Sequence, residues 1–177
     1  MQVRLDKRAR IIADGGQAYP VDLLRDHTLV QVRQKYTDDT GELTLAPGEE
    51  TTDEVTVGGR VVFVRNTGKL CFASLQDGFT ETSNGERLQI MLSKAEVGDE
   101  SLAAWKSDVD LGDHVWVRGR VVVSRRGELS IMAAEWRMAS KALRPLPTLH
   151  KELSEESRVR RRYADLVVRE ESRQMVR

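Results

Sequence analysis

The stretch RVVFVRNTGKLCFASLQDGFTETSNGERLQI, residues 60–90, decides the fold. It reads as three short strands joined by two turns. Within Leu70–Asp77, Cys71, Ala73 and Leu75 fall on one face and Leu70, Phe72, Ser74 and Gln76 on the other, because successive side chains of a strand leave opposite faces. Residues 87–93 repeat the division, with Leu88, Ile90 and Leu92 set against Gln89 and Met91. Placing the aliphatic sets inward puts Phe72 and Gln89 together on the outer face. A ring beside an amide is a platform for a flat ligand with hydrogen-bonding edges, such as a splayed nucleotide base. A lone strand Phe more often belongs to the core, so the flanking sequence has to arbitrate.

Upstream, VTVGGRVVFVR (residues 55–65) has the same period of two, and Gly58-Gly59 permits the sharp bend a small barrel needs. Downstream, residues 95–108 form a helical stretch, with Leu102, Trp105 and then Val109 on one side. HVWVRGRVVVS (residues 114–124) is a fourth strand broken by Gly119. Arg125-Arg126-Gly127 then turns into a fifth, residues 128–133, with Leu129 and Ile131 inward and Glu128 and Ser130 outward. Three strands, a helix and two strands is the order of an OB-fold, a five-stranded Greek-key barrel that binds oligonucleotides on strands two and three and the adjoining loops. The expected class is therefore mainly β with flanking helices: an OB-fold barrel preceded by an N-terminal helical extension. Parity puts Glu128 on the same outer surface as Phe72 and Gln89. It leaves Arg65 open, because that residue sits at a strand end beside the Asn66–Gly68 turn.

Three regions follow. Residues 1–50 are a helical extension and linker, 51–143 the barrel, and 144–177 a proline-containing hinge and the start of another unit. In the first, Leu5, Ala9 and Ile12 recur at helical spacing, with Arg4, Lys7 and Arg8 on another face as candidate phosphate contacts. Gly15-Gly16 stops that helix. Asp26 or Thr28 is placed to cap a second one over residues 29–36, burying Leu29, Val32 and Tyr36. Residues 37–54, polar and acidic with Gly and Pro, read as a flexible loop. Beyond the barrel, Leu143–Pro147 is a stiff connector. Ser154, Ser157 and VRRRYADLVV then open a capped helix that stops at Arg177, a truncated unit expected to be loosely ordered.

Composition excludes several classes. The chain has 177 residues with 28 basic and 28 acidic ones, so it is no globally basic nucleic-acid binder, although its charges cluster locally. One cysteine, Cys71, allows no disulfide framework and reads as a small core residue. His27, His114 and His150 lack ligand spacing and read as surface or loop residues, so no metal site is expected. No apolar run is long enough to span a membrane, and the basic N-terminus lacks the apolar segment of a signal peptide. The expectation is a cytoplasmic protein with no membrane partner.

In order, RVVFVRNTGKLCFASLQD, the LQI strand, DLGDHVWVRGRV, RRGELSI, KALRPLP and RRRYADL resemble the N-terminal part of bacterial class II lysyl-tRNA synthetases. VRLDKRARI and AYPVDL resemble that family's N-terminal extension. The resemblance covers nearly the whole chain and is weakest over residues 37–54. It implies an anticodon-binding domain in which Phe72 stacks on the central anticodon base, Gln89 reads that base, Arg65 precedes the Gly-Lys turn and Glu128 lies near the first anticodon position. It implies that the Arg-rich N-terminal helix lies along the anticodon stem and contacts phosphates, with tRNA-Lys as partner. The parent would be an ATP- and Mg2+-dependent lysine–tRNA ligase, homodimeric through a catalytic domain whose three class II motifs lie beyond Arg177. The chain itself would hold no catalytic residue and no cofactor.

Aspartyl- and asparaginyl-tRNA synthetases share the barrel and read the same central uridine; GKLCFASLQD with ALRPLP and RRRYADL favours lysine. A synthetase-like region fused to a membrane lysyltransferase that makes lysyl-phosphatidylglycerol is a second alternative, disfavoured by a Met1 start without membrane spans. A general single-stranded nucleic-acid coater would show several stacking aromatics, whereas parity exposes one. A pure interaction module has no positive support.

Overall fold

The computed structural model describes residues 1–80, 83–84, 86–147 and 154–176, so His150 lies outside the described residues. It resolves two compact units, Met1–Leu143 and Arg144–Arg177.

In the first unit, five strands close a barrel. They are β1 (Glu50–Thr67), β2 (Leu70–Gln76), β5 (Arg87–Ser93), β6 (His114–Val123) and β7 (Leu129–Ser140), with β3 (Phe79–Thr80) and β4 (Ser83–Asn84) forming a small separate hairpin. Around the barrel the order is β1-β2-β5-β7-β6. Closure depends on the length of β1. Its residues Glu54–Arg60 pair with β6 and Arg60–Thr67 with β2, so Arg60 faces His114 on one side and Gln76 on the other. At that handover Gly59 lets the chains approach: a Cβ there would meet the Gln76 carbonyl oxygen and the Leu75 Cβ, each at 3.1 Å. The remaining seam, β5 with β7, is parallel and short, Gln89–Met91 against Ser130–Met132.

Alternation fills the barrel as the sequence implies. Cys71, Ala73 and Leu75 meet Leu88, Ile90 and Leu92, with Val57, Val61, Val117, Val121, Leu129 and Ile131 completing the centre. Cys71 is a buried free thiol whose pKa burial pushes up, which suits packing and not nucleophilic chemistry. Trp105 packs edge-on against Trp136, ring centroids 5.1 Å apart. Leu29 and Val32 of α2 (Leu29–Lys35) and the following Tyr36 join the same core. Thr28 is its N-cap: the hydroxyl accepts from Gln31 N–H while the Gln31 side chain accepts from Thr28 N–H, a complete capping box.

Several readings need correction. Residues 37–54 are not a loose loop. Thr37 bridges Leu43, Asp38 Oδ1 accepts from the backbone N–H groups of Thr40 and Glu42, and Leu43 and Leu45 pack against the core. Two leucines in a polar run suffice to pin it, and β1 already begins at Glu50. The helical stretch is two helices, α3 (Lys94–Val97) and α4 (Asp99–Asp108), divided at Gly98, whose φ of 82° suits glycine. Gly119 does not break β6; the strand continues through it with a bulge. Gln76, expected on the solvent face, is buried. His114 is no loop residue: it opens β6, where burial and the nearby Arg60 cation lower its pKa to about 4.

The second unit is likewise more built than expected. Helices α5 (Glu155–Arg160), α6 (Arg162–Val168) and α7 (Glu170–Gln174) share a fully buried carboxylate, Asp165, whose Oδ2 accepts from Arg162 and from the Ser172 hydroxyl, each at 2.7 Å.

Candidate nucleic-acid interface

The outer face of the barrel is governed by one bulge. Val61 pairs with Leu75 but Phe63 pairs with Ser74, so β1 carries an extra residue there. Both Val61 and Val62 are buried, and the alternation reverses beyond them. Phe63 and Arg65 are thereby turned outward, which answers the question parity left open for Arg65. Register then arranges the face as two transverse rows. Phe63, Ser74, Gln89 and Ser130 form one; Arg65, Phe72, Met91 and Met132 form the other.

Apart from the buried Ser130, these rows floor an open cleft of about 1060 Å³. Phe72 is partly exposed in it, and the Arg65 guanidinium lies over its ring at 4.8 Å from the centroid. Such a pair is worth roughly 0.5–1 kcal/mol at an exposed site. One strand over, Gln89 Nε2 donates to Ser130 Oγ at 2.8 Å, and Ser130 in turn donates to the Glu128 carbonyl at 2.9 Å. Because the serine hydrogen is committed to Glu128, its oxygen can only accept from Gln89, which fixes which end of the amide is nitrogen. The Oε1 acceptor and the second Nε2–H remain for a ligand.

The cleft is basic although the chain is neutral. Its three acids are all engaged by two cations: Arg33 reaches Glu86 at 2.7 Å and Glu128 at 3.9 Å, and Arg120 reaches Glu50 at 3.0 Å. Arg65, Arg87, Arg125 and Arg126 also line it, without an ion pair among the described residues. Arg33 comes from α2 and also donates to the Arg87 carbonyl at 2.7 Å, so α2 forms part of the cleft wall.

Of the residues expected from sequence, the structure brings together Arg65, Phe72, Gln89 and Glu128. It does not bring Arg4, Lys7 and Arg8 to them. On α1 (Gln2–Ala13), Arg4 donates to the carbonyls of Ala142 and Leu111, and Lys7 pairs with Asp110 at 2.8 Å. Arg8 lies over the Tyr19 ring, 5.6 Å from its centroid. The sequence reading missed Phe63, Arg33 and the Arg125-Arg126 turn. Parity concealed the first and tertiary packing the second. The third was readable, since an Arg-Arg-Gly turn between the last two strands is one of the loops this barrel uses on oligonucleotides. Among the described residues, no cluster of His, Cys, Asp and Glu is placed to hold a metal, and no helix is long and apolar enough to cross a membrane.

Comparison with known proteins places this geometry. Residues 55–139 match the family described as the OB-fold nucleic acid binding domain. The whole chain is 59% identical to a lysine–tRNA ligase of Kineococcus radiotolerans, and 99% of it is 55% identical to one from Mycolicibacterium gilvum. It spans 33% of the length of each. The lysylphosphatidylglycerol biosynthesis bifunctional protein LysX of Rhodococcus jostii is more distant, at 37% identity over 99% of the chain and 14% of that protein. Residues 55–139, which form the barrel, thus match the OB-fold nucleic acid binding domain, on a chain similar along nearly its whole length to a third of these lysine–tRNA ligases.

Proposed function

We propose that the chain is the anticodon-reading part of a lysine–tRNA ligase and that its ligand is the anticodon loop of tRNA-Lys. The observation that carries this is the adjacency of Phe72 and an orientation-locked Gln89 in one basic cleft. A central uridine stacks on Phe72; its N3–H donates to Gln89 Oε1 and its O4 accepts the second Nε2–H. Cytidine offers a lone pair at N3 and an amino group at C4, so it meets the locked amide with both signs reversed. Arg65 supports the ring and supplies a cation to the backbone. Glu128, tethered to Arg33, lies beside a neighbouring base.

Phosphate contact by Arg4, Lys7 and Arg8 stays in the proposal only as a secondary term, since Arg4 and Lys7 already hold α1 to the barrel. ATP and Mg2+ chemistry, aminoacylation and a homodimer contact belong, on this reading, to the part of the parent beyond the chain. The parent works in the cytoplasm.

The test is affinity for a lysine anticodon hairpin against the same hairpin with central cytidine, for the unaltered chain and Phe72→Ala at fixed salt. Phe72→Ala is expected to cost roughly 1–3 kcal/mol, and its effect should shrink once the uridine is changed. Equal binding of all hairpins, with salt alone mattering, would reject the reading. Ser130→Ala makes a finer prediction. With the serine acceptor gone the amide is free to flip, so the uridine-to-cytidine affinity ratio should fall several-fold while affinity for uridine changes little. Ser130 is fully buried, so the same substitution should cost about 1 kcal/mol of stability, measured separately by denaturation.

A further inference from the structure

Phe63 is 51% exposed, a large apolar side chain left in solvent within the longest strand of the barrel. Scattered exposed apolar residues need no explanation. This one differs in how it comes to be exposed and in what surrounds it. Simple alternation from Val61 would put residue 63 inside; the bulge at Val62 turns it out instead. Bulges cost ladder hydrogen bonds and are found where a strand must re-aim a side chain. The side chain re-aimed here enters the cleft already lined by Phe72, Gln89 and Arg65.

We propose that Phe63 is a second stacking platform, taking the nucleobase next to the one on Phe72, so that the cleft holds two consecutive unstacked bases of a single RNA strand. This rests on the reading of Phe72 given above. Register sets the spacing. Phe63 stands opposite Ser74, and Phe72 is two residues farther along β2, which makes the two rings diagonal neighbours roughly 7–8 Å apart at Cα. One base cannot cover both rings, whereas successive splayed bases can. Phe63 brings no hydrogen-bonding group, and every base has a π-face, so the second base is held without being identified. Identity is read at Gln89, in the same row as Phe63, and affinity is gathered on the two rings that lie to one side of it. Arg65 flanks the diagonal, and the Arg125-Arg126 turn lines the same cleft, so cations are present for the phosphates that connect the two bases.

The test is a matrix of Phe63→Ala and Phe72→Ala against four versions of the lysine anticodon hairpin: intact, abasic at the centre, and abasic at each neighbour. Phe63→Ala should weaken binding of the intact hairpin about tenfold. That loss should nearly vanish on one of the two neighbour-abasic hairpins and persist on the centre-abasic one, with Phe72→Ala giving the converse pattern. Phe63→Trp should keep the affinity that Phe63→Leu loses. Unchanged binding by Phe63→Ala, or an equal loss on all four hairpins, would overturn the proposal. The former is the result expected if Phe63 serves a protein partner, the latter if it serves the barrel itself. Should Phe72→Ala alone fail to follow the central base, the reading of Phe72 falls while the columns for Phe63 still decide its own case.

Discussion

Replacing Lys141 by methionine is expected to cost about 3–5 kcal/mol of stability, measured by chemical denaturation, although the aliphatic stem is retained. The ammonium is fully buried and uses all three of its donors: Asp108 carbonyl at 2.7 Å, Asp110 Oδ2 at 2.6 Å and Asp113 Oδ2 at 2.6 Å. Asp113 is fully buried too; its Oδ1 accepts from Ala142 N–H and its Oδ2 also from Asp110 N–H. Removing the cation strands that carboxylate, and an unpaired buried charge costs more than the pair gains. Lys7→Met is the control, because its ion pair with Asp110 is partly open to solvent and its loss should cost no more than about 1 kcal/mol.

The acid limb supplies an independent check. Burial works to raise the Asp110 carboxyl, but hydrogen bonds and charge from Lys141 and Lys7 outweigh it and hold the group below its ordinary value. A depressed carboxyl contributes stability above its unfolded pKa of about 3.9 and loses it as pH falls through the lower folded value. The gap between the unaltered chain and Lys141→Met should therefore narrow below about pH 4. A gap independent of pH would mean that the loss is one of packing.

This cluster also shows which parts of the structure the sequence disclosed. The barrel was legible because its strands alternate aliphatic and polar residues over short, glycine-punctuated runs, a signal local to each strand. Phe72 and Gln89 were placed by the same alternation, within strands that carry no irregularity. Arg65 and Phe63 were not, because a single inserted residue at Val62 reverses the pattern and nothing in VVFV marks where an insertion falls. Long-range partners were likewise invisible. Lys141 lies just ahead of the Leu143–Pro147 connector, Lys7 reads as a candidate phosphate contact and Arg33 carries no signal of its own, yet their carboxylates, Asp113, Asp110 and Glu86, lie 28, 103 and 53 residues away in sequence. The error over residues 37–54 has the same cause, since composition reports polarity but not the two leucines that anchor a polar run.

Gly119→Ala is the substitution expected to do the most damage for the fewest atoms. A Cβ at that position would lie 2.0 Å from the Met132 carbonyl oxygen, 2.7 Å from its carbon and 2.8 Å from the Ala133 Cα. All three are backbone atoms, so no rotamer change relieves the clash; β6 and β7 must separate where the register steps from Arg118–Glu135 to Gly119–Ala133. Overpacking that side chains can absorb costs about 1–3 kcal/mol, and here the cost should reach or exceed the upper figure. Gly58→Ala is the matched control on the neighbouring strand. Its nearest contact would be the Val115 carbonyl at 3.7 Å, ordinary van der Waals distance, so it should change stability by less than about 1 kcal/mol and in the favourable direction if the unfolded-chain entropy term dominates. Met132 closes one end of the Arg65–Phe72–Met91 row, so any chain that tolerates Gly119→Ala by shifting β7 moves the floor of the cleft. Folded Gly119→Ala protein with normal hairpin affinity would show that the β6–β7 approach does not set the site. Lost affinity in a still-folded chain would show that the fold and the reading face are held by the same contact.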